Sequence, residues 1–332
     1  MRAWEVERPG PVDSAPLAFV ERDVPEPGPG EVRVEVSVCG VCRTDLHIAE
    51  GDLPVHRQRV VPGHEIVGRV DERGPGAHRF DIGERIGIAW LRHTCGECRF
   101  CISGRENLCT APQFTGYDAD GGYAEYAVVS EDYAYRLPES FDDERAAPLL
   151  CAGIIGYRAL RRARLPEGGA LGIWGFGGSA HLIAQIAIHR GARVHVVTRG
   201  ERARALALEL GAASASESGP PPEDLDAAIL FAPAGGLVPS IMESLDRGGR
   251  LAIAGIHLSD LPPLEYRRHL FMEKEIVSVT ANTRADGLEF LQAAGAAEIK
   301  VRVDRYPLSE ADRALSALAH GEVRGAAVLR VD

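Results

Sequence analysis

The chain has 332 residues, 45% hydrophobic and 26% charged, and its 37 Lys and Arg against 48 Asp and Glu leave a formal net charge of −11. That apolar fraction excludes a disordered chain, and the length suffices for two domains. An acidic chain with no basic block is a poor match to nucleic acid or an anionic membrane, so neither is expected as a partner, and no run approaches the roughly 18 apolar residues of a membrane span.

The opening MRAWEVERPG lacks a charged-then-apolar signal pattern, so a soluble, cytoplasmic protein is expected. The first 150 residues read as β-rich. Val32, Val34, Val36 and Val38 alternate with Arg33, Glu35 and Ser37, the period-2 signature of a half-buried strand, after the PEPGPGE turn cluster. VVPGHEIVGRV, ERIGIAW and YAEYAVV are further short runs of this kind, pointing to a barrel-like or sandwich-like domain. Near residue 153 the pattern changes to alternating strands and helices. ALGIWGFG (170–177) is a buried strand ending in glycines, SAHLIAQIAIHRGA a helix, ARVHVVTRG a strand, and ERARALALELGA a helix closed by Gly211 as C′. LDAAILFAP is a third strand, GGLVPSIMESLDRGG a helix and GRLAIAGI a fourth strand, which together predict a parallel sheet. After about residue 281 a helix is expected near DGLEFLQAAG, a strand near KVRVDRYPL, a helix near EADRALSALAHG and a last strand at AAVLRV.

Three patterns carry chemistry. The seven cysteines are an odd number without a signal pattern, which argues against a disulfide framework. Cys95, Cys98, Cys101 and Cys109 crowd into one polar, Gly-containing stretch. Buried free thiols and an iron–sulfur cluster are alternatives, but four soft donors at these spacings suit a closed, structural zinc site. Cys42, His64, Glu65 and Cys151 are scattered, and each alone has an ordinary core or surface reading; two thiols, an imidazole and a replaceable fourth ligand are what a catalytic zinc needs. Gly175, Gly177 and Gly178, in GFGGSA, follow a strand and open a helix, the setting of a dinucleotide fingerprint. Gly175 permits the tight turn and Gly177 lets the backbone approach a pyrophosphate. The next strand ends HVVTRG, with Thr198 and Arg199 where NAD-binding chains carry an acidic residue, so NADP is expected over NAD.

Taken together, GVCRTDLH (40–47), GHE (63–65), the four-cysteine stretch (95–109), GYDADGGYAEY (116–126), LLCAG (149–153), GFGGSA and NTRAD (282–286) resemble the zinc-dependent alcohol dehydrogenases of the medium-chain dehydrogenase/reductase superfamily over essentially the whole length. The resemblance implies an α/β chain in three stretches. A GroES-like β-barrel catalytic domain spans 1–152, a Rossmann domain with a doubly wound parallel sheet spans 153–281, and 282–332 returns to the catalytic domain. The active site would lie in the cleft between the domains. It implies Cys42, His64 and Cys151 as catalytic zinc ligands, with Glu65 beside the metal and Asp45 orienting His64. Thr44 would bond the alcohol oxygen, and His47 would end a proton relay running through Thr44 and the cofactor ribose. Arg43 and Arg284 would meet the cofactor phosphates, and Trp90 would line the substrate pocket. Cys39 matches no ligand position. Cys151 in place of the carboxylate of polyol dehydrogenases argues for the simple alcohol branch.

The expected activity is reversible hydride transfer between a primary or small secondary alcohol and NAD(P)⁺, with two zinc ions per subunit, in a homodimer or homotetramer. NADPH-dependent reduction of larger aldehydes is the alternative within enzymes. A non-catalytic zinc and dinucleotide-binding redox sensor is the alternative outside them, against which Thr44 and His47 beside an open metal both count.

Overall fold

The computed structural model describes residues 1–255 and 258–331. It divides into two compact units, one of Met1–Ala152, Ala281–Gly295 and the chain from Val301 on, the other of Gly153–Thr280 and Ala296–Lys300. Residues 296–300 thus group with the second unit rather than with the returning stretch. The reason is local: the Lys300 N–H donates to Gln185 Oε1 at 2.8 Å, and Gln185 Nε2 donates back to the Lys300 carbonyl at 3.1 Å.

In the first unit β1 (Arg2–Val6) pairs antiparallel with β2 (Leu17–Glu21). The long strand β3 (Glu31–Val41) buries Val32, Val34, Val36 and Val38. Each such side chain taken from water contributes about 1.5–3 kcal/mol. β3 runs into α1 (Arg43–Glu50), whose eight residues are too few to show a helical period in the sequence. β4 (Ile66–Arg73) starts six residues later than the run VVPGHEIVGRV suggests, because Pro62 offers no N–H to a ladder and Gly63 turns the chain at φ +100°. That interruption leaves His64 and Glu65 on irregular backbone at the strand's mouth. β5 (Arg85–Ile88), β6 (Leu91–His93), α2 (Arg99–Ile102), β7 (Gln113–Phe114), β8 (Tyr126–Ser130), β9 (Ala134–Arg136) and α3 (Asp143–Ala146) complete the first pass.

The second unit begins within α4 (Ala152–Ala163) and continues through β10 (Ala170–Trp174), α5 (Gly178–His189), β11 (Arg193–Val197), α6 (Glu201–Glu209), β12 (Ser214–Ser216), β13 (Leu225–Leu230), α7 (Val238–Ser244), β14 (Leu245–Ile253), α8 (Tyr266–His269) and β15 (Glu275–Ser278). Its strands lie in the order β12-β11-β10-β13-β14-β15, every pair parallel. This is the doubly wound order that reverses beside the first strand. Gly211 takes φ +97° after α6, as a C′ glycine does. The helix expected over GGLVPSIMESLDRGG stops at Ser244, because Leu245 already pairs with Leu225 and LDRGG belongs to β14. Ile256, the end of the expected strand GRLAIAGI, lies outside the described residues.

The chain returns through α9 (Arg284–Ala297), β16 (Val303–Pro307), α10 (Ala311–Ala319) and β17 (Ala326–Arg330). The first unit's main sheet then reads β16-β17-β3-β4-β5-β9, with β8 also on β3, so the last strand closes antiparallel on the one that feeds α1. Among the described residues no helix is long and apolar enough to cross a membrane.

Candidate active site and metal centres

Cys42 is the N-cap of α1. Its N–H donates to Asp45 Oδ2 at 2.8 Å, closing a capping box, and its sulfur sits at the positive end of the helix. Asp45 is fully buried, a position a carboxylate holds only when its oxygens are occupied. It accepts from four donors: Cys42 N–H, Gly63 N–H (3.1 Å), His64 Nδ1 (2.9 Å) and the Tyr123 hydroxyl (3.3 Å). The His64 proton is therefore on Nδ1, and Nε2 turns to Cys151 Sγ at 3.2 Å. Cys151 Sγ lies 3.7 Å from Cys42 Sγ. Two glycines make room for this packing. At Gly63 a Cβ would stand 2.5 Å from the Tyr123 ring, and at Gly40 one would stand 1.8 Å from Glu65 Oε2.

The donor set fits zinc. A tetrahedron with Zn–S bonds of about 2.3 Å puts its sulfurs about 3.8 Å apart, close to the 3.7 Å found. The ligand atoms of Cys42, His64, Glu65 and Cys151 all lie within 4.8 Å of one another, and all four residues belong to the first unit. The Cys151 thiol donates to Cys42, and with the His64 imidazole this holds Cys42 well below the ordinary thiol range despite burial. Burial works against a charged His64, but Asp45 and the Cys42 sulfur together outweigh it and raise the imidazole. Burial and the Cys42 sulfur push the Glu65 carboxyl well up. Cys39 is a packing thiol: burial raises it, and it fills the space left by Gly63 and Gly122.

The second thiol set is equally compact. Cys95, Cys98, Cys101 and Cys109 have sulfur separations of 3.5 Å (98–101 and 95–109) and 3.9 Å (95–101). Backbone N–H groups of Cys95 and Ala111 point at Cys109 Sγ, that of Cys98 at Cys95 Sγ, and those of Cys101 and Thr110 hold Cys98 down to about 6. Four thiols so cradled leave no open position, the mark of a structural zinc site.

In the second unit, Gly175 takes φ +87° with its N–H on the Val197 carbonyl (2.9 Å), and a Cβ there would strike the Ala232 backbone N at 2.8 Å. Gly177 caps α5, and a Cβ on it would meet nothing within 4 Å. That open approach to the N-terminus of a 12-residue helix, with Gly178 as its first residue, fits a pyrophosphate.

The alcohol dehydrogenase GroES-like domain model matches residues 28–139. A probable alcohol dehydrogenase of Mycobacterium tuberculosis is 58% identical, over 100% of this chain and 97% of its own length. The chain belongs to the zinc-dependent alcohol dehydrogenases. An alcohol dehydrogenase of Geobacillus stearothermophilus is 36% identical over 96% of this chain and 97% of its own. The solved structure of a Sorghum bicolor cinnamyl alcohol dehydrogenase superposes with a TM-score of 0.89, at 28% identity, over 99% and 97% of the two chains.

In this alcohol dehydrogenase the remaining site residues fall as follows. Thr44 is buried, its Oγ1 3.8 Å from Cys42 Sγ. His47 is half-buried on the same helix, its Nδ1 bonded to Asp52 at 2.8 Å. Trp90 meets the His64 ring edge-on at 4.9 Å and stacks on Phe114 at 4.7 Å. Arg43 is exposed at the first turn of α1. Thr198 donates its N–H to Ser216, and Arg199 is exposed; Arg204 Nη1 bonds both their carbonyls, at 2.9 and 2.6 Å. Arg284 is held by Glu106. Tyr123, Asp52, Phe114, Arg204 and Glu106 escaped the sequence reading. Only Tyr123 had a signal, as part of GYDADGGYAEY; the others are recognisable only from their partners in space.

Proposed function

We propose that this alcohol dehydrogenase interconverts primary or small secondary alcohols and their carbonyl products, with NADP⁺ favoured over NAD⁺. One zinc would be held by Cys42, His64 and Cys151 and a second by Cys95, Cys98, Cys101 and Cys109. The convergence of two thiols and an imidazole at tetrahedral spacing carries the reading, because three protein donors leave one position for substrate. Bound there, zinc supplies a Lewis acid for the alcohol oxygen, and the nicotinamide supplies the hydride acceptor.

The chain's own groups do the rest. Asp45 keeps the His64 proton on Nδ1 and so leaves Nε2 a lone pair. Thr44 Oγ1 orients the alcohol oxygen and takes its proton. Asp52 fixes the His47 ring through Nδ1, and His47 is assigned to the outer end of the proton relay. Trp90 and Phe114 form an apolar wall beside His64 that excludes water. Arg43 and the Gly175–Gly178 loop are assigned to the pyrophosphate. Thr198 and Arg199 are assigned to a 2′-phosphate, which the lack of a carboxylate at the end of β11 supports. The same observation favours a second reading, NADPH-driven reduction of larger aldehydes. A homodimer or homotetramer is supported by β15, an outer strand of its sheet, with Tyr266 (67% exposed) and Phe271 (53%) on the segment just before it.

The test is an initial-rate assay on benzyl alcohol and a short primary alcohol with each cofactor. NADP⁺ should be preferred, and Cys42→Ala should abolish turnover while the four-cysteine metal stays bound. Full turnover by that variant would refute the site.

A further inference from the structure

Arg284 opens α9, where the family resemblance implies a reader of cofactor phosphates. Its contacts lie elsewhere. Its N–H reaches Glu106 Oε1 at 2.5 Å, and its Nε and Nη2 reach Glu106 Oε2 at 3.1 and 2.9 Å. The guanidinium also lies over the Tyr133 ring, with Cζ 4.6 Å from the centroid. The Tyr133 hydroxyl accepts the Thr94 N–H at 2.8 Å and shares a second bond with Thr94 Oγ1 at 2.8 Å. Thr94 directly precedes Cys95, and Glu106 sits on the turn Glu106–Leu108 that leads into Cys109. Both ends of the four-cysteine loop therefore reach one residue 178 positions away from Glu106 in the chain.

We propose that the four-cysteine lobe is a clamp on the N-terminus of α9, with Glu106 as the gripping residue, and that Arg284 is committed to this clamp rather than to a phosphate. Three arguments lead there. A helix leaves its first N–H groups without intrahelical partners. In α9 the Asp286 N–H goes to Thr283 Oγ1 (3.1 Å) in a local box, whereas the Arg284 N–H goes to the carboxylate of the lobe. A carboxylate at a helix N-terminus also meets the favourable end of the macrodipole. Finally, a guanidinium forked onto a carboxylate through Nε and Nη2 has its charge neutralised locally and that pair of donors engaged, which weakens what it could offer a phosphate. The sulfurs of Cys95 and Cys109, 3.5 Å apart, set the spacing of the two arms, so a metal on the four thiols keeps the clamp closed. That last step rests on the structural-zinc reading.

The experiment is hydrogen exchange at the amides of residues 283–288 in the zinc-loaded protein, with metal content measured alongside. Glu106→Gln should keep two zinc ions per chain yet lose about tenfold or more of the protection there. Arg284→Gln should do the same, and the double variant should lose no more than the larger single one. Arg284→Lys, which keeps the charge without the fork and is the milder change for folding, should also lose protection. NADPH affinity, read by fluorescence titration, should stay within about threefold in Arg284→Gln. Unchanged protection in Glu106→Gln overturns the clamp, as does a tenfold or greater loss of NADPH affinity in Arg284→Gln with α9 still protected. Stripping the lobe's metal should expose the same amides; if only residues 95–109 respond, the metal-closed clamp is overturned. A wild type holding one zinc per chain sinks the structural-zinc reading instead, and the Glu106 and Arg284 variants still judge the clamp.

Discussion

At the scale of single residues, Asp45 ties two of the candidate ligands together, accepting from the Cys42 N–H and from His64 Nδ1. Four donors point at its two oxygens from α1, from the turn at Gly63, from His64 and from Tyr123. An amide in its place offers one acceptor oxygen and an NH₂ that faces donors whichever way it flips. Asp45→Asn is therefore expected to leave at least one buried donor unsatisfied, at a cost of about 1–3 kcal/mol. His64 also loses the partner that fixes its tautomer, and removing such outer partners weakens metal binding about 10–100-fold. Chelator competition on the purified variant, counting retained zinc per chain, measures this. Zinc affinity equal to that of the wild type would mean that Asp45 does not orient His64.

At the scale of elements, the readable parts of the sequence were those with a long repeating pattern. The alternation around Val32–Val38 gave β3, and the all-apolar run before Gly175 gave β10, because burial on one face or both writes itself into every residue of such a strand. β12, three residues of Ser and Ala, and β15, four residues, are too short to show a period and exist because the neighbouring strand is already in place. The four-cysteine set was legible because its close spacing is what one coordination sphere asks for, whereas Cys42, His64 and Cys151, scattered along the chain, were legible only through the family resemblance. Glu106 and Asp52 were not, because a carboxylate that works by meeting one partner in space has no sequence pattern of its own. Glu223 is a further case. It gathers Arg193 from β11 at 2.8 Å and His195 Nε2 at 2.8 Å, and these bonds hold its carboxyl down to about 2. The folded form thus binds fewer protons than the unfolded chain between the ordinary glutamate range and about pH 2. The stability this adds is fully present above that window and is lost as pH falls through it. Denaturant midpoints taken from pH 5 downward should therefore fall less steeply in Glu223→Gln than in the wild type, and parallel curves for the two would rule the effect out.

At the scale of the whole molecule, the choice of dinucleotide can be read without any catalysis. A ligand that binds only the folded state raises its stability by RT ln(1 + [L]/Kd), so two ligands compared at one saturating concentration report the ratio of their affinities. A tenfold preference corresponds to about 1.4 kcal/mol. The end of β11 offers the Thr198 hydroxyl and the exposed Arg199 and no carboxylate, while Arg204 is turned onto the carbonyls of both. A 2′-phosphate would find a cation there, whereas β11 itself ends without the carboxylate that ribose hydroxyls donate to in NAD-binding chains. NADP⁺ is therefore expected to raise the melting temperature more than an equal concentration of NAD⁺. Arg199→Gln should remove that difference while leaving the NAD⁺ shift in place. If NAD⁺ gives the larger shift in the wild type, the selector at Thr198 and Arg199 is misassigned. The candidate metal site in the first unit stands apart from that outcome, because Cys42 and His64 are held by Asp45, a residue of the same unit.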